Sequence, residues 1–241
     1  MVKKNDAHAH IGHFGGWANV ELSSDGMVKA MEDYNIERSI ICHRDNSETV
    51  NAINCFPQEL VGIAWLSPFD GENAVAELER LVKVNKFQGL KLHPLFSAFT
   101  ANDPVVYPLM DKARELSIPV FIHSGHAPFS LPWSIAQLAE VYPDVPIVMV
   151  HMGHGHGIYI QAAIDMAMKY DNIWLETSGM PMHTKVKEAY ERVGAERIFW
   201  GSDAPFHDYG VEILRTSVSG LSEQALEQVF YSNIKKFMGW T

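Results

Sequence analysis

The chain is poor in cysteine, in positive charge and in long apolar runs, and each shortage removes a class of protein. Only Cys42 and Cys55 occur among 241 residues, too few for a disulfide framework and best read as reduced thiols of a cytoplasmic protein. Lys and Arg number 19 against 29 Asp and Glu, for a net charge of −10. General nucleic-acid binding needs clustered cations on phosphates, so no nucleic-acid partner is expected. Apolar stretches such as Ile147–Val150 are far too short to span a bilayer, and no membrane association is expected. The basic start Met1-Val2-Lys3-Lys4 has no apolar segment behind it, so it does not read as a signal peptide. Hydrophobic residues at 47 % and charged residues at 20 % describe a folded globular chain.

Short apolar runs alternate with helical patterns throughout. The strand candidates are Lys4–His10, Arg38–His43, Leu60–Leu66, Phe87–His93, Pro119–His123, Pro146–His151, Asn172–Thr177 and Arg197–Asp203. Several are continuously apolar, as parallel strands covered on both faces should be. Helical spacing marks Gly71–Val84, Val105–Leu116, Trp133–Val141, Ile158–Tyr170 and Thr184–Val193. The strand ends recur every about 28 residues, the length of one βα unit with short loops. Eight such units fit an α/β fold of the (β/α)8 TIM-barrel type, whose usual size is about 250 residues. A doubly wound open sheet is the rival, but it rarely needs eight even units. No composition shift or linker interrupts the series, so a single domain over 1–241 is expected, closed by helices within Gln224–Met238.

Barrel enzymes build their sites at the C-terminal ends of strands, and polar, metal-competent residues stand at those ends here. Strand one ends in Asp6-Ala7-His8-Ala9-His10, where alternation points both imidazoles to one side. Strand four ends in Lys91 and His93, strand five in His123, strand six in His151 and strand eight in Asp203. Two imidazoles suit zinc, iron, copper or nickel and leave the metal open. Singly, each residue has an ordinary explanation: His8 and His10 as exposed strand ends, His123 as a core histidine, Asp203 as a turn cap. Asp6 lies deep in the strand, where a salt bridge or a ligand-orienting bond is as good a reading as metal contact.

The order of these residues resembles the amidohydrolase superfamily. The segments Gly89-Leu90-Lys91-Leu92-His93-Pro94, Val150-His151-Met152-Gly153 and Gly201-Ser202-Asp203-Ala204-Pro205 resemble more specifically its amidohydrolase 2 branch, related to aminocarboxymuconate-semialdehyde decarboxylase. The resemblance covers the whole chain. It implies that His8, His10, His123 and Asp203 hold a divalent metal, with zinc the expected ion, and that His151 and Asp203 are catalytic. One ion is favoured; two would require Lys91 to be carboxylated, with Lys91, His151 and His93 as second-metal or substrate contacts. Arg44, Trp65 and His126 are expected near the substrate, a guanidinium such as that of Arg44 being able to clamp a carboxylate. His13, Phe14 and Trp17 follow strand one and could form part of a lid. Gly153-His154-Gly155-His156-Gly157 matches no established phosphate loop.

The leading expectation is a hydrolase in which metal-bound hydroxide attacks the carbonyl of an amide, lactone or ester-like bond in a small substrate, carboxylated or not. The alternative is non-oxidative decarboxylation of an aromatic or unsaturated acid. A metal-dependent DNase and a catalytically inactive metal-binding barrel rank lower. A homodimer is the default assembly for such an enzyme.

Overall fold

The computed structural model describes residues 2–241, in which parallel strands and helices alternate. The strands are β1 (Lys4–His10), β2 (Ile36–Cys42), β3 (Leu60–Gly62), β4 (Leu90–Leu92), β5 (Val120–His123), β6 (Ile147–Val150), β7 (Ile173–Glu176) and β8 (Ile198–Phe199). The longer helices are α1 (Ser24–Tyr34), α2 (Asn46–Cys55), α3 (Glu72–Lys83), α4 (Tyr107–Glu115), α5 (Pro132–Val141), α6 (Gly157–Lys169), α7 (Thr184–Val193) and α8 (Tyr209–Ser217). Contacts divide the chain into two compact units: the residues up to Gly62 with Glu176–Thr241, and Ile63–Leu175.

In the first unit β1 runs parallel to β2, with His10 opposite Cys42, and β2 runs parallel to β3. All seven residues of β1 are buried although five are polar. Burial of that many polar groups is tolerated only where each finds partners. The segment after β8 supplies them on one side: Ala7 N–H donates to Trp200 O (3.0 Å), and Asp203 N–H donates to His8 O (2.8 Å). Ser23 caps α1 by accepting from Gly26 N–H, and Asn35 ends it at φ 56°, a left-handed conformation asparagine tolerates. An antiparallel hairpin, Gly12–Phe14 with Val20–Leu22, follows β1 and carries exposed Trp17 between its strands.

The second unit is a sheet in sequence order. The two-residue strand Ala64–Trp65 pairs with β4, then β5, β6 and β7 follow, each parallel to the last. Leu90, Val120 and Ile147 lie side by side and fully buried. Helix α3 lays Ala74, Leu78 and Leu81 inward; each buried leucine contributes about 1.5–3 kcal/mol. Its other face carries the pair Arg80–Glu77, one helical turn apart.

The first strand has the expected bounds and the second starts two residues early, while the other six are shorter than the apolar pattern suggests. The third is interrupted at Ile63, and the eighth keeps only two paired residues, because 200–204 leave regular geometry to bond β1 instead. His93 and His151 stand just past their strand ends, His93 as the cap of a four-residue helix and His151 in a 3-10 turn. The closing helical segment is broken into Glu223–Glu227, a π turn Gln228–Ser232 and Asn233–Phe237. Among the described residues no helix is long and apolar enough to cross a membrane. Cys42 is buried, Cys55 is exposed, and both are free thiols.

Candidate metal centre and active site

The first unit gathers donors from the two ends of the chain. The Nε2 atoms of His8 and His10 lie 3.4 and 3.2 Å from one oxygen, Oδ1 of Asp203. The two rings meet edge to face, with centroids 4.7 Å apart. Alternation puts both imidazoles on one face of β1, and the hydrogen bonds between β1 and the segment after β8 bring the carboxylate to them. Asp203 itself sits at φ +54°, in a left-handed conformation that a non-glycine residue holds at a cost of about 1–3 kcal/mol. Two imidazoles and a carboxylate fit a divalent first-row ion, which coordinates nitrogen and oxygen donors from such a triad. Cys42, on the neighbouring strand, forms a second close group with the same two histidines, all ligand atoms within 4.8 Å.

Asp6 lies behind this cluster. Its Oδ1 accepts from His8 N–H (3.1 Å) and Ser202 N–H (2.9 Å), and Ser202 Oγ donates to its Oδ2 (2.5 Å). Burial pushes its carboxyl up to about 7 against the lowering effect of those bonds. Asp6 thus ties β1 to the residue next to Asp203. Gly201 completes the junction: a Cβ there would meet Glu176 Oε1 at 2.5 Å and His8 N at 3.1 Å. Burial opposes a charge on His10, but the Cys42 sulfur and the Asp203 carboxylate outweigh it and carry its pKa up to about 9. An imidazolium must shed that proton to bind a metal, so loading competes with protons.

Further along, Phe206 and His207 N–H groups donate to Asp203 O (2.9 and 3.2 Å), and the Phe206 ring meets His10 at 5.1 Å between centroids. His207 Nδ1 donates to buried Glu212 Oε1 (3.0 Å), which raises its pKa, while burial opposes the shift. Arg215 binds the same carboxylate.

The second unit presents a row of imidazoles. His93 stacks on His123 with centroids 4.0 Å apart, and on its own side packs against Phe96 (4.1 Å) and Trp65 (5.2 Å). His123 Nε2 and His126 Nδ1 share a hydrogen bond of 2.8 Å. His151 meets His123 at 4.8 Å, and His154 lies 5.7 Å from His151. Burial first, then His93, His151, buried Lys91 and His126, hold the His123 pKa well below the ordinary imidazole value. His123 is therefore a neutral imidazole, the form that binds a metal. His151 and Met152 both take positive φ, 69° and 48°.

Glycines in the loops after β5 and β6 have a packing reason. A Cβ on Gly125 would fall 2.0 Å from His154 O, and one on Gly153 would fall 2.3 Å from Tyr159 O. They permit close backbone approach, consistent with the absence of a phosphate-loop pattern.

A family model described as amidohydrolase matches residues 6–240. The chain belongs to the amidohydrolase 2 family. Among curated relatives of this amidohydrolase are decarboxylase orsB of Emericella nidulans, 24 % identical over 89 % of this chain and 85 % of the relative, and gamma-resorcylate decarboxylase of a Polaromonas species, 25 % identical over 76 % and 77 %. L-fucono-1,5-lactonase of Burkholderia ambifaria is 26 % identical over 61 % of this chain and 58 % of its own. Similar solved structures include 2,6-dihydroxybenzoate decarboxylase from Rhizobium (TM-score 0.79, 16 % identity, 99 % of each chain). A dihydroxybenzoic acid decarboxylase from Polaromonas with bound manganese is also similar (0.76, 18 %, 99 % and 97 %), as is an uncharacterised TIM-barrel protein from Bordetella bronchiseptica (0.81, 17 %, 99 % of each). The amidohydrolase has the (β/α)8-barrel fold expected from its eight βα units.

Of the residues expected at the site, the first unit brings together His8, His10 and Asp203, and the second brings together Trp65, His93, His123, His126 and His151, with Lys91 near enough to act on His123. Arg44 is exposed after β2, and the nearby cavity of about 330 Å³ is lined by His13, Glu21, His43 and Glu48 without it. Three residues lay outside the expected set: Ser202, Cys42 and Glu212, the partner of His207. Ser202 was legible as the neighbour of Asp203. Glu212 and Cys42 were not, since each reads as an ordinary helix or strand residue until the chain folds.

Proposed function

We propose that this amidohydrolase is a metal-dependent non-oxidative decarboxylase of a small aromatic acid. The observation that carries a metal-dependent reaction is the convergence of His8 Nε2 and His10 Nε2 on Asp203 Oδ1. The choice of decarboxylation over hydrolysis is supported by relatives whose names describe decarboxylases along most of the chain. In the proposed reaction the bond between the ring and its carboxylate breaks, carbon dioxide leaves, and the electron pair left on the ring carbon takes a proton. Asp203 is the proposed carrier of that proton, delivering it from a carboxyl oxygen. A divalent ion at His8, His10 and Asp203 supplies Lewis-acid polarisation and orientation when bound. Manganese is the first ion to try, with zinc next. Membership of the family supports His123 as a further ligand and His151 as a substrate-facing group.

Hydrolysis of a lactone remains the second reading, favoured by the lactonase relative. The deciding experiment supplies manganese or zinc to the purified chain with 2,6-dihydroxybenzoate and related hydroxybenzoates, and separately with sugar lactones. Carbon dioxide and the matching phenol in equal amounts are expected. Lactone opening, with no carbon dioxide from any hydroxybenzoate, would replace this reading with the hydrolase.

A further inference from the structure

We infer that Cys42 is a positioning residue for His10: its sulfur accepts the Nδ1 hydrogen and so leaves Nε2 as the metal-binding nitrogen. The inference rests on the metal site proposed above. The register of β1 against β2 sets His10 directly opposite Cys42. The sulfur, fully buried, lies 3.5 Å from His10 Nδ1 and 3.9 Å from Ala9 O. On the other edge of the same ring, Nε2 lies 3.2 Å from Asp203 Oδ1.

A neutral imidazole carries one hydrogen, and whichever nitrogen holds it cannot bind a metal. With a cation held between Nε2 and Asp203 Oδ1, Nε2 would give its lone pair and Nδ1 would keep the hydrogen; the Cys42 sulfur, with Ala9 O in reach of its own S–H, is placed to accept it. Metal-bound histidines commonly donate this second hydrogen to a carboxylate, a carbonyl or water, and loss of that partner typically weakens metal binding by about 10–100-fold. Here the partner is the Cys42 sulfur, which strand register holds against the ring. The nearness of Cys42 to both histidines also raises the rival that sulfur itself ligates the ion. Its position at Nδ1, opposite the nitrogen that faces Asp203, favours the positioning role.

The test uses the full chain with cobalt(II) alone, following metal affinity, the cobalt spectrum and the His10 tautomer by nitrogen-15 NMR. Expected is a wild-type cobalt complex with no sulfur-to-cobalt charge-transfer band, and a His10 protonated at Nδ1. Cys42→Ala should bind cobalt about 10–100-fold more weakly and lose the single-tautomer signal, with a circular dichroism spectrum like wild type. Cys42→Ser, which retains an acceptor, should recover most of the affinity and the tautomer. Unchanged affinity and tautomer in Cys42→Ala would overturn the inference, and so would a Cys42→Ser protein as weak as Cys42→Ala. A charge-transfer band that vanishes with the thiol would make Cys42 a ligand instead. If His10→Ala binds cobalt as well as wild type, it is the metal reading itself that fails.

Discussion

Asp203 combines a strained backbone, a shared contact with two imidazoles and a hydrogen bond to β1, so its substitution separates chemistry from architecture. Asp203→Asn keeps the shape but removes the charge and the proton-carrying oxygen. Turnover by the metal-loaded protein should fall by at least about 100-fold, with a melting temperature close to wild type, measured by steady-state assay and thermal denaturation. His207 makes a second residue-scale prediction. Its folded pKa is raised above the ordinary value by Glu212, so the folded state binds the proton more tightly than the unfolded chain. The stability this adds is fully present below about pH 6.5 and is lost as pH rises through the higher folded value. The gap in melting temperature between wild type and His207→Gln should therefore be widest near pH 5–6 and close by pH 9; a gap that widens with pH would refute the ion pair. At this scale the sequence was a good guide to donors and a poor one to their supports. Histidine and aspartate announce their chemistry by type, whereas Cys42, Ser202 and Glu212 acquire roles only through neighbours.

Elements were legible in kind and order but only partly in their ends. Parallel strands buried on both faces must be apolar, so the runs stood out. Two runs end where expected, at His10 and His123, still paired in the ladder, but others leave it early: His93 caps a short helix, and His151 and Asp203 turn left-handed. The loop joining β5 to α5 and the one joining β6 to α6 touch through Gly125, whose added Cβ would strike His154 O. Gly125→Ala should cost about 2 kcal/mol or more in urea denaturation, since backbone must shift at a positive φ. Gly239→Ala, at φ 67° just past the last helix and in open space, should cost only about 1 kcal/mol. Equal losses would mean that conformation alone, not the close approach, requires the glycine.

For the molecule as a whole, metal binding to the folded state alone should appear as stability. Manganese or zinc at about 100 times its dissociation constant should add about 2.7 kcal/mol, and a chelator should remove it. His10→Ala should show no such shift, a comparison made by thermal denaturation with and without ion. The even spacing of eight βα units made the barrel readable from the chain. The reaction was less readable: hydrolysis was the leading expectation, while the named relatives favour decarboxylation. Both chemistries draw on the same donors, and substrate choice resides in loops whose shape local sequence does not encode.

The sequence by itself determined the succession of buried strands and helices and the kinds of donor placed at the strand ends, because side-chain chemistry and hydrophobic period are local properties. Only the tertiary structure decided which donors meet. Asp6 reaches Ser202 across 196 positions of chain, His8 and His10 close on Asp203, and Cys42 comes to rest at the back of His10 through strand register. Those meetings depend on hydrogen bonds between distant segments, and no local pattern specifies them.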